Sequence, residues 1–392
     1  MADFIRFGFP AAELEAHTPL GWELFTVSEA IAQEKVGRKY DNKSVLHVGS
    51  VPVLNQQALG FHGYHNDEPG VFASQDNPVV TFANHTCAIR LVDFPFSAIQ
   101  NVFVLRGRAM CSDTRFLKYW LTGRIETDSY RGHFPDLLNM RLPLPPLPEQ
   151  RRIAGVLGTL DDLIDTNEQL SGRLQRSMSA HYSRVSQQAT HVGPIGEFVK
   201  TAARGVTPKY SGDDGAVLVL NQKCIRNGLV NLNSARLMQP RPAKPEKVVQ
   251  PGDAVVNSTG VGTLGRAARW VGADPIFVDS HVTVVKPADS EESGWVARAL
   301  VESLADIEAL AQGSTGQTEL SRGQLLSLSV AVPPKSIRVQ ASRLFDELDA
   351  SIEVLATENQ QLRQARDELL PLLMSGKIRV REAEELVKER VG

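Results

Sequence analysis

LLNMRLPLPPLPEQRRIAGVLGTLDDLI, residues 137–164, lines up without a gap on LLSLSVAVPPKSIRVQASRLFDELDASI, residues 325–352, at a constant offset of 188. Leu137, Leu138, Pro145, Pro146, Leu160, Asp161 and Ile164 recur as Leu325, Leu326, Pro333, Pro334, Leu348, Asp349 and Ile352. A period this long in a chain of 392 residues is far outside the roughly 20–50 residues of a solenoid. It divides the chain into two tandem halves, each a globular unit followed by a helix.

The helices are read from spacing. A Pro-Pro pair ends any preceding helix and suits the extended run before a new one. Beyond the second pair, Phe345, Leu348, Ile352, Leu355, Asn359, Leu362, Arg366, Leu369 and Leu373 step by three and four, the seam of a coiled coil. Beyond the first, Leu157, Leu160, Ile164, Asn167, Ser171, Leu174 and Met178 repeat it, weakened by Gly155, Gly158 and Gly172. The next breakers are Gly193-Pro194 and Pro371 with Gly376, so each helix runs for about 40 residues, or about 60 Å. Neither seam buries itself, which predicts that the two pair with each other, in parallel or antiparallel. Ile153, Val156 and Leu163 fall off the first seam and are expected on an outer face.

The globular units read as mixed β with few helices. VLVLNQKCI, KVVQPGDAVVNS and PIFVDSHVTVVKP are β-rich runs bounded by Gly, Pro, Asn and Asp, and SVLHVGSVPVL and GVFASQDNPVVTFAN are their analogues in the first half. The expected organisation is a globular domain at 1–146, a helix at 147–190, a second domain at 191–334, and a second helix with a tail at 335–392.

Composition excludes several classes. Three cysteines, Cys87, Cys111 and Cys224, without C-x-x-C spacing leave neither a disulfide framework nor a cysteine-rich zinc site. No apolar run reaches the roughly 18 residues of a membrane span, and the acidic N-terminus MADFIRFGFPAAELEAH is unlike a signal peptide, so a cytoplasmic location without membrane contact is expected. Forty-two bases against forty-five acids argue weakly against nucleic acid, but the distribution is uneven. Residues 200–269 hold eleven bases against four acids, and weaker basic excesses lie around Lys35, Arg38, Lys39 and Lys43 and between Arg90 and Arg131.

Signals of catalysis are few. GVGTLG, with Gly260, Gly262 and Gly265, satisfies G-x-G-x-x-G, but only RAARW separates it from the next β-like run, so it reads as a glycine-rich turn and not a dinucleotide fold. No P-loop is present. His62 and His65 are spaced for a metal but sit in a turn-like segment and read as surface histidines, so no metal site is expected.

The LPLPPLPEQRRIAGVLGTLDDLIDTNEQL pattern, its second copy, and the closing LLPLLMSGKIRV resemble the specificity subunit of type I restriction-modification systems. RGVTPKY and QPGDAVVNSTGVGTLG resemble loops of that family's recognition domains. The resemblance implies an α+β protein with two target-recognition domains, separated by two long helices that form an antiparallel coiled coil with pseudo-two-fold symmetry. It implies that each domain reads half of a bipartite double-stranded DNA target, and that the helices set the spacer and dock two methyltransferase subunits and the motor-nuclease subunits. The chain itself would be non-catalytic and hold no cofactor; S-adenosylmethionine, ATP and magnesium would belong to partner subunits. By resemblance Pro145, Pro146, Glu149, Gln150 and Ile153 mark the first conserved helical region, and Pro333, Pro334, Leu373, Ser375, Gly376 and Lys377 the second. The second copy carries Ile337-Arg338 where the first has Glu149-Gln150, so the docking surfaces need not be equivalent.

Residue chemistry selects DNA-contact candidates independently. Phosphate and base-edge contacts come from cationic and amide or hydroxyl side chains in loops. They are Lys209, Tyr210, Lys223, Arg226, Asn227, Ser258, Thr259 and Arg266 in the second domain, and Lys39, Lys43, Tyr130 and Arg131 in the first. Helix pairing rests on Leu157, Leu160, Ile164, Leu348, Ile352, Leu355, Leu362, Leu369 and Leu373. Two other readings stand beside this one: a coiled-coil adaptor without sequence-specific DNA binding, and a nicotinamide-dependent enzyme built on GVGTLG.

Overall fold

A computed structural model describes residues 18–125, 131–311 and 319–391. The chain forms two units, Met1–Asp165 with Asn359–Gly392 (unit 1) and Thr166–Glu358 (unit 2). In chain order the first contains β1 (Glu23–Thr26), α1 (Val27–Ala30), β2 (Ile31–Glu34), β3 (Lys39–Tyr40), β4 (Val51–Leu54), β5 (Gly63–His65), β6 (Val79–Ala83) and β7 (Ile89–Val92). There follow β8 (Ser97–Ile99), β9 (Val102–Gly107), α2 (Thr114–Leu121), α3 (Phe134–Asn139) and β10 (Arg141–Leu144). The long helix α4 (Leu147–Ser186) crosses from unit 1 to unit 2. Unit 2 continues with β11 (His191–Pro194), β12 (Val199–Arg204), β13 (Val217–Leu220), β14 (Ile225–Arg226), β15 (Leu229–Val230), β16 (Arg236–Met238), β17 (Val248–Val249) and β18 (Ala254–Asn257). It is completed by β19 (Ala267–Arg269), β20 (Ile276–Val278), β21 (Val282–Pro287), α5 (Ser293–Glu302), α6 (Leu304–Leu310), α7 (Arg322–Leu326) and β22 (Ser329–Val332). A second long helix, α8 (Lys335–Met374), crosses back, and α9 (Val380–Val391) follows it.

The units repeat one topology. Unit 1 has the antiparallel sheet β2-β9-β6-β7 and unit 2 the antiparallel sheet β12-β21-β18-β19. A second sheet runs β5-β4-β8-β3 in unit 1 and β16-β13-β20-β17 in unit 2. In each, the second and third strands are parallel and the first pair antiparallel. The fourth strands differ: β3 precedes β4 and runs parallel to β8, whereas β17 follows β16 and runs antiparallel to β20. The middle strands are buried and β-branched, as Val79-Val80-Thr81-Phe82-Ala83 and Val282-Thr283-Val284-Val285 illustrate. Each Pro-Pro follows a strand of a two-stranded antiparallel pair, β1 with β10 and β11 with β22.

The helices pair as their seams require. In unit 1, Leu157, Leu160 and Ile164 of α4 share a core with Leu362, Leu369 and Leu373 of α8. Asn359 Nδ2 donates to the Ile164 carbonyl (3.2 Å), and Arg366 to Asp161 Oδ1 (2.9 Å). As one number falls the other rises, which makes the pairing antiparallel. In unit 2, Met178 and Val185 share a core with Phe345 and Ile352, with Leu348 packed at its edge, and His181 meets Phe345 edge-on (5.7 Å between centroids). Leu355 is half-buried. Pro371 does not end α8, which runs on to Met374; the stop comes at Gly376, whose φ of +66° suits a residue without a Cβ.

Candidate nucleic-acid interface

In unit 2 the candidates fall on two loop systems. Lys223 lies in the tight turn Gln222–Cys224, and Arg226 and Asn227 are at the tip of the β14–β15 hairpin. Asn227 and Gly228 have φ of +54° and +76°, the mirror-image turn that suits a two-residue hairpin. Thr259 and Arg266 bracket the glycine-rich loop, which joins the antiparallel strands β18 and β19. No crossover helix follows the glycines, so the dinucleotide reading fails on topology. A Cβ at Gly260 (φ +105°) would collide with Thr263 Oγ1, so the glycine is needed there. Gln222 Nε2 donates to the Thr259 carbonyl (2.5 Å) and to Thr259 Oγ1 (2.7 Å), and Asn257 Nδ2 donates to the carbonyls of Gln222 and Thr263 (3.0 Å each). These bonds tie the two loop systems together. Arg266 turns back onto the Gly262 carbonyl (2.5 Å).

Lys209 and Tyr210 lie along β16, where Tyr210 bridges to Met238 and the Lys209 carbonyl accepts from Gln239 N (2.9 Å). The Arg236 guanidinium stacks 3.5 Å from the Tyr210 ring centroid. Ser258 is a correction: it is fully buried, and its hydroxyl bonds Thr283 Oγ1 (2.5 Å), so it belongs to the sheet interior and not to the interface.

The cations of unit 2 sort by environment. Arg269, Lys286, Arg298 and Arg338 are paired with Asp346 and Asp349, Asp253, Glu302 and Glu292, mostly in the interior. Among the described residues no carboxylate lies within ion-pair distance of Lys209, Lys223, Arg226, Arg236, Arg241 or Lys244, all of them exposed. Exposed cations without local counter-charge are what an anionic duplex recruits.

In unit 1 two of the candidates flank Gln56: Lys39 lines one groove with it, and the Arg131 carbonyl lies against His85, whose backbone N donates to Gln56. Lys39 is on β3, its Nζ 3.5 Å from the Val102 carbonyl, and burial lowers its pKa. Lys43 is exposed in the turn that Asp41 organises. Arg131 pairs with Asp136 (3.0 Å), while its carbonyl lies 3.0 Å from His85 Nδ1. Tyr130 and the N-terminal residues 1–17 lie outside the described residues. His65 is not a surface histidine: it is 3% exposed and stacks on Tyr40 at 4.1 Å. Among the described residues no group of three His, Cys, Asp or Glu is placed to hold a metal, and no helix is long and apolar enough to cross a membrane.

One feature of unit 1 escaped sequence reasoning. Val53-Leu54-Asn55-Gln56 at the end of β4 repeats as Val219-Leu220-Asn221-Gln222 at the end of β13, the topologically equivalent strand. Asn55 Oδ1 accepts from Gln57 N (2.9 Å) as Asn221 Oδ1 accepts from Lys223 N (2.8 Å). Gln56 Oε1 accepts from His85 N (3.2 Å), and the Gln56 carbonyl accepts from the Thr86 hydroxyl, in the β6–β7 hairpin. That hairpin is the counterpart of the glycine-rich β18–β19 loop.

The residues expected at docking surfaces are split. Pro146 and Pro334 are exposed, Glu149 is half-buried, and Pro145 and Pro333 are buried. Gln150 is fully buried, and Ile153 and Val156 are 1% and 9% exposed in the unit 1 core, so they present no outer face. Their helix turn packs within the core of unit 1.

Comparison with known proteins bears on the same segments. Residues 19–176, 158 of the 392, match the family described as Type I restriction modification DNA specificity domain. The putative type I restriction enzyme MjaX specificity subunit of Methanocaldococcus jannaschii is 22% identical over 286 residues, 62% of this chain. The match spans 61% of the length of that curated relative. The solved S subunit of a type I restriction-modification system from M. genitalium is similar in fold over 90% of this chain and 96% of that one, with a TM-score of 0.59 and 18% identity.

Proposed function

We propose that this chain is the DNA specificity subunit of a type I restriction-modification complex, each β-rich domain reading one half of a bipartite duplex target. The observation that carries this reading is the duplicated architecture, in which a strand, a Pro-Pro and a 40-residue helix recur after each two-sheet domain. Lys209, Lys223, Arg226, Arg236, Arg241 and Lys244, exposed and without carboxylate partners among the described residues, supply the electrostatic side of DNA binding. The helix starts at Pro145-Pro146 and Pro333-Pro334 are the docking regions for two methyltransferase subunits, and motor-nuclease subunits join them. This chain performs no chemical step. S-adenosylmethionine, ATP and magnesium belong to those partners, and the assembly works in the cytoplasm, where host DNA lies.

Methylation mapping of host DNA with and without this gene tests the reading. A methylated target of two short specified segments around an unspecified spacer, lost on deletion, is the expected result. An unchanged methylation map, together with DNA binding that ignores sequence, would favour the coiled-coil adaptor.

A further inference from the structure

We infer that Gln57 and Lys223 occupy one position in two copies of a reading loop, and that each contacts the half-site read by its own unit. The inference rests on the proposed DNA-specificity function. The two residues follow equivalent strands, β4 and β13, one step beyond the shared Asn-Gln. Both are positioned by the same asparagine turn. In both units the glutamine before them fastens the loop to the hairpin of the neighbouring sheet, Gln56 to His85 and Thr86, Gln222 to Thr259. Arg90 holds the far side of the unit 1 loop by donating to the Gly60 carbonyl (2.9 Å) and stacking over Phe61. The Gln57 and Lys223 side chains are exposed, and neither has a hydrogen-bond or ion-pair partner among the described residues. A loop held this firmly, presenting an exposed polar side chain with no partner among the described residues, is suited to meet something outside the domain.

The chemistry of the two positions differs in an informative way. Lys223 offers a charge that suits phosphate or the acceptor edge of guanine; Gln57 offers a donor and an acceptor together, the pattern that pairs with adenine in the major groove. Lys39 and Lys43 lie on or beside β3, the strand without a topological counterpart in unit 2. The duplication therefore centres the unit 1 reading surface on Gln57 and the β6–β7 hairpin, with Lys39 at its edge in the groove that Gln56 also lines.

The test uses the chain assembled with its methyltransferase subunits, on the target duplex found by methylation mapping and on two duplexes with one half-site altered. Gln57→Ala is expected to lose discrimination at one half-site only, by about 5- to 150-fold, the range of a bidentate base contact. Its salt slope should match that of the unsubstituted complex, because no charge is removed. Lys223→Ala should weaken binding while leaving discrimination at the Gln57 half-site intact. Gln57→Glu, which places a negative charge against the duplex, should bind more weakly still, with an unchanged thermal unfolding midpoint. Wild-type discrimination by a folded Gln57→Ala complex, or its loss in Lys43→Ala instead, would overturn the inference while leaving the specificity function standing. A map with no bipartite target would remove both.

Discussion

Gln150 and Arg338, 188 residues apart, fasten the two long helices to their domains by the same contacts made with different chemistry. Each donates to the carbonyl of the first proline of its Pro-Pro, Pro145 or Pro333. Each also grips the N-cap residue of a domain helix. Gln150 Oε1 accepts from Asp113 N ahead of α2 (2.8 Å), and Arg338 makes a two-pronged bond with Glu292 ahead of α5 (3.1 Å each). A neutral amide and an ion pair thus serve one joint.

The joint sets an order of stabilities. Gln150→Ala should cost about 1–3 kcal/mol, because the buried Pro145 carbonyl and the partly buried backbone groups of Cys111 and Asp113 lose their partner. Arg338→Ala should cost more, about 3–5 kcal/mol, since it leaves the buried Glu292 without its counter-charge. Urea unfolding of the two variants reads the order directly. A smaller loss for Arg338→Ala would mean that Glu292 finds other compensation.

Lys223→Ala and Arg226→Ala should each weaken DNA binding. The salt dependence should flatten by about one unit of slope for every phosphate the variant no longer neutralises. Binding isotherms at several salt concentrations measure it. Wild-type affinity and slope in both variants would exclude the β14–β15 region from the interface.

Ser258→Ala should leave half-site preference and salt slope unchanged and lower stability by about 1 kcal/mol, the value of a buried hydroxyl bond to Thr283. Altered base preference in this variant would show that the loop reaches DNA from within.

What the sequence made legible was long-range periodicity. The seam positions needed only steps of three and four, and the helices follow them from Leu147 and Lys335. The loops were harder because their repeat is four residues long and has an offset of 166, so it does not align with the 188-residue register of the helices. Ser258 was a candidate for its hydroxyl in a loop after β18; its partner Thr283 lies 25 positions away on another strand. Ile153 was expected on an outer face, yet it stands four residues before Leu157 and Gln150 three before it, so both continue the three-four steps and are buried in unit 1.

Asp161 and Asp349 are repeat equivalents that titrate in opposite directions. Burial alone would raise Asp161, but Lys118, Arg366 and Tyr119 bring it below its ordinary value. Burial pushes Asp349 up to about 6, with Arg269 only partly offsetting it. For Asp161 the folded pKa lies below the unfolded one, so its contribution is present above the unfolded value and lost on acidification. For Asp349 the folded pKa lies above the unfolded value near 3.8, so unit 2 loses stability as pH rises from about 4 to about 6. Asp349→Asn should abolish that loss. Hydrogen exchange of residues 335–352, compared between variant and wild type at matched pH, checks it; an unchanged ratio from pH 4 to pH 7 would contradict the assignment.

Both crossings between units, at 165/166 and 358/359, fall inside helices. Seven residues inserted at both points would preserve the pairing registers within each unit and add about 10.5 Å of helix, close to three base pairs of duplex. If α4 and α8 set the spacer, the mapped target should keep its half-site bases and gain about three unread base pairs. Binding should weaken, because three base pairs also rotate the duplex by more than a quarter turn at about 10.5 base pairs per turn. An unaltered spacer would mean that the helices do not measure it.

The core of unit 1 is assembled from residues that leave the ribosome far apart in time. Val80 and Phe116 share it with Leu362, Leu369, Val380 and Ala383, whereas Thr166–Glu358 is one uninterrupted stretch. Order of synthesis and order of completion are therefore inverted: the domain made first is finished last. Throughout translation of the second domain, the first holds open the apolar surface reserved for the end of α8. A chain cut short after Glu358 would thus damage the domain formed by residues translated well before the cut.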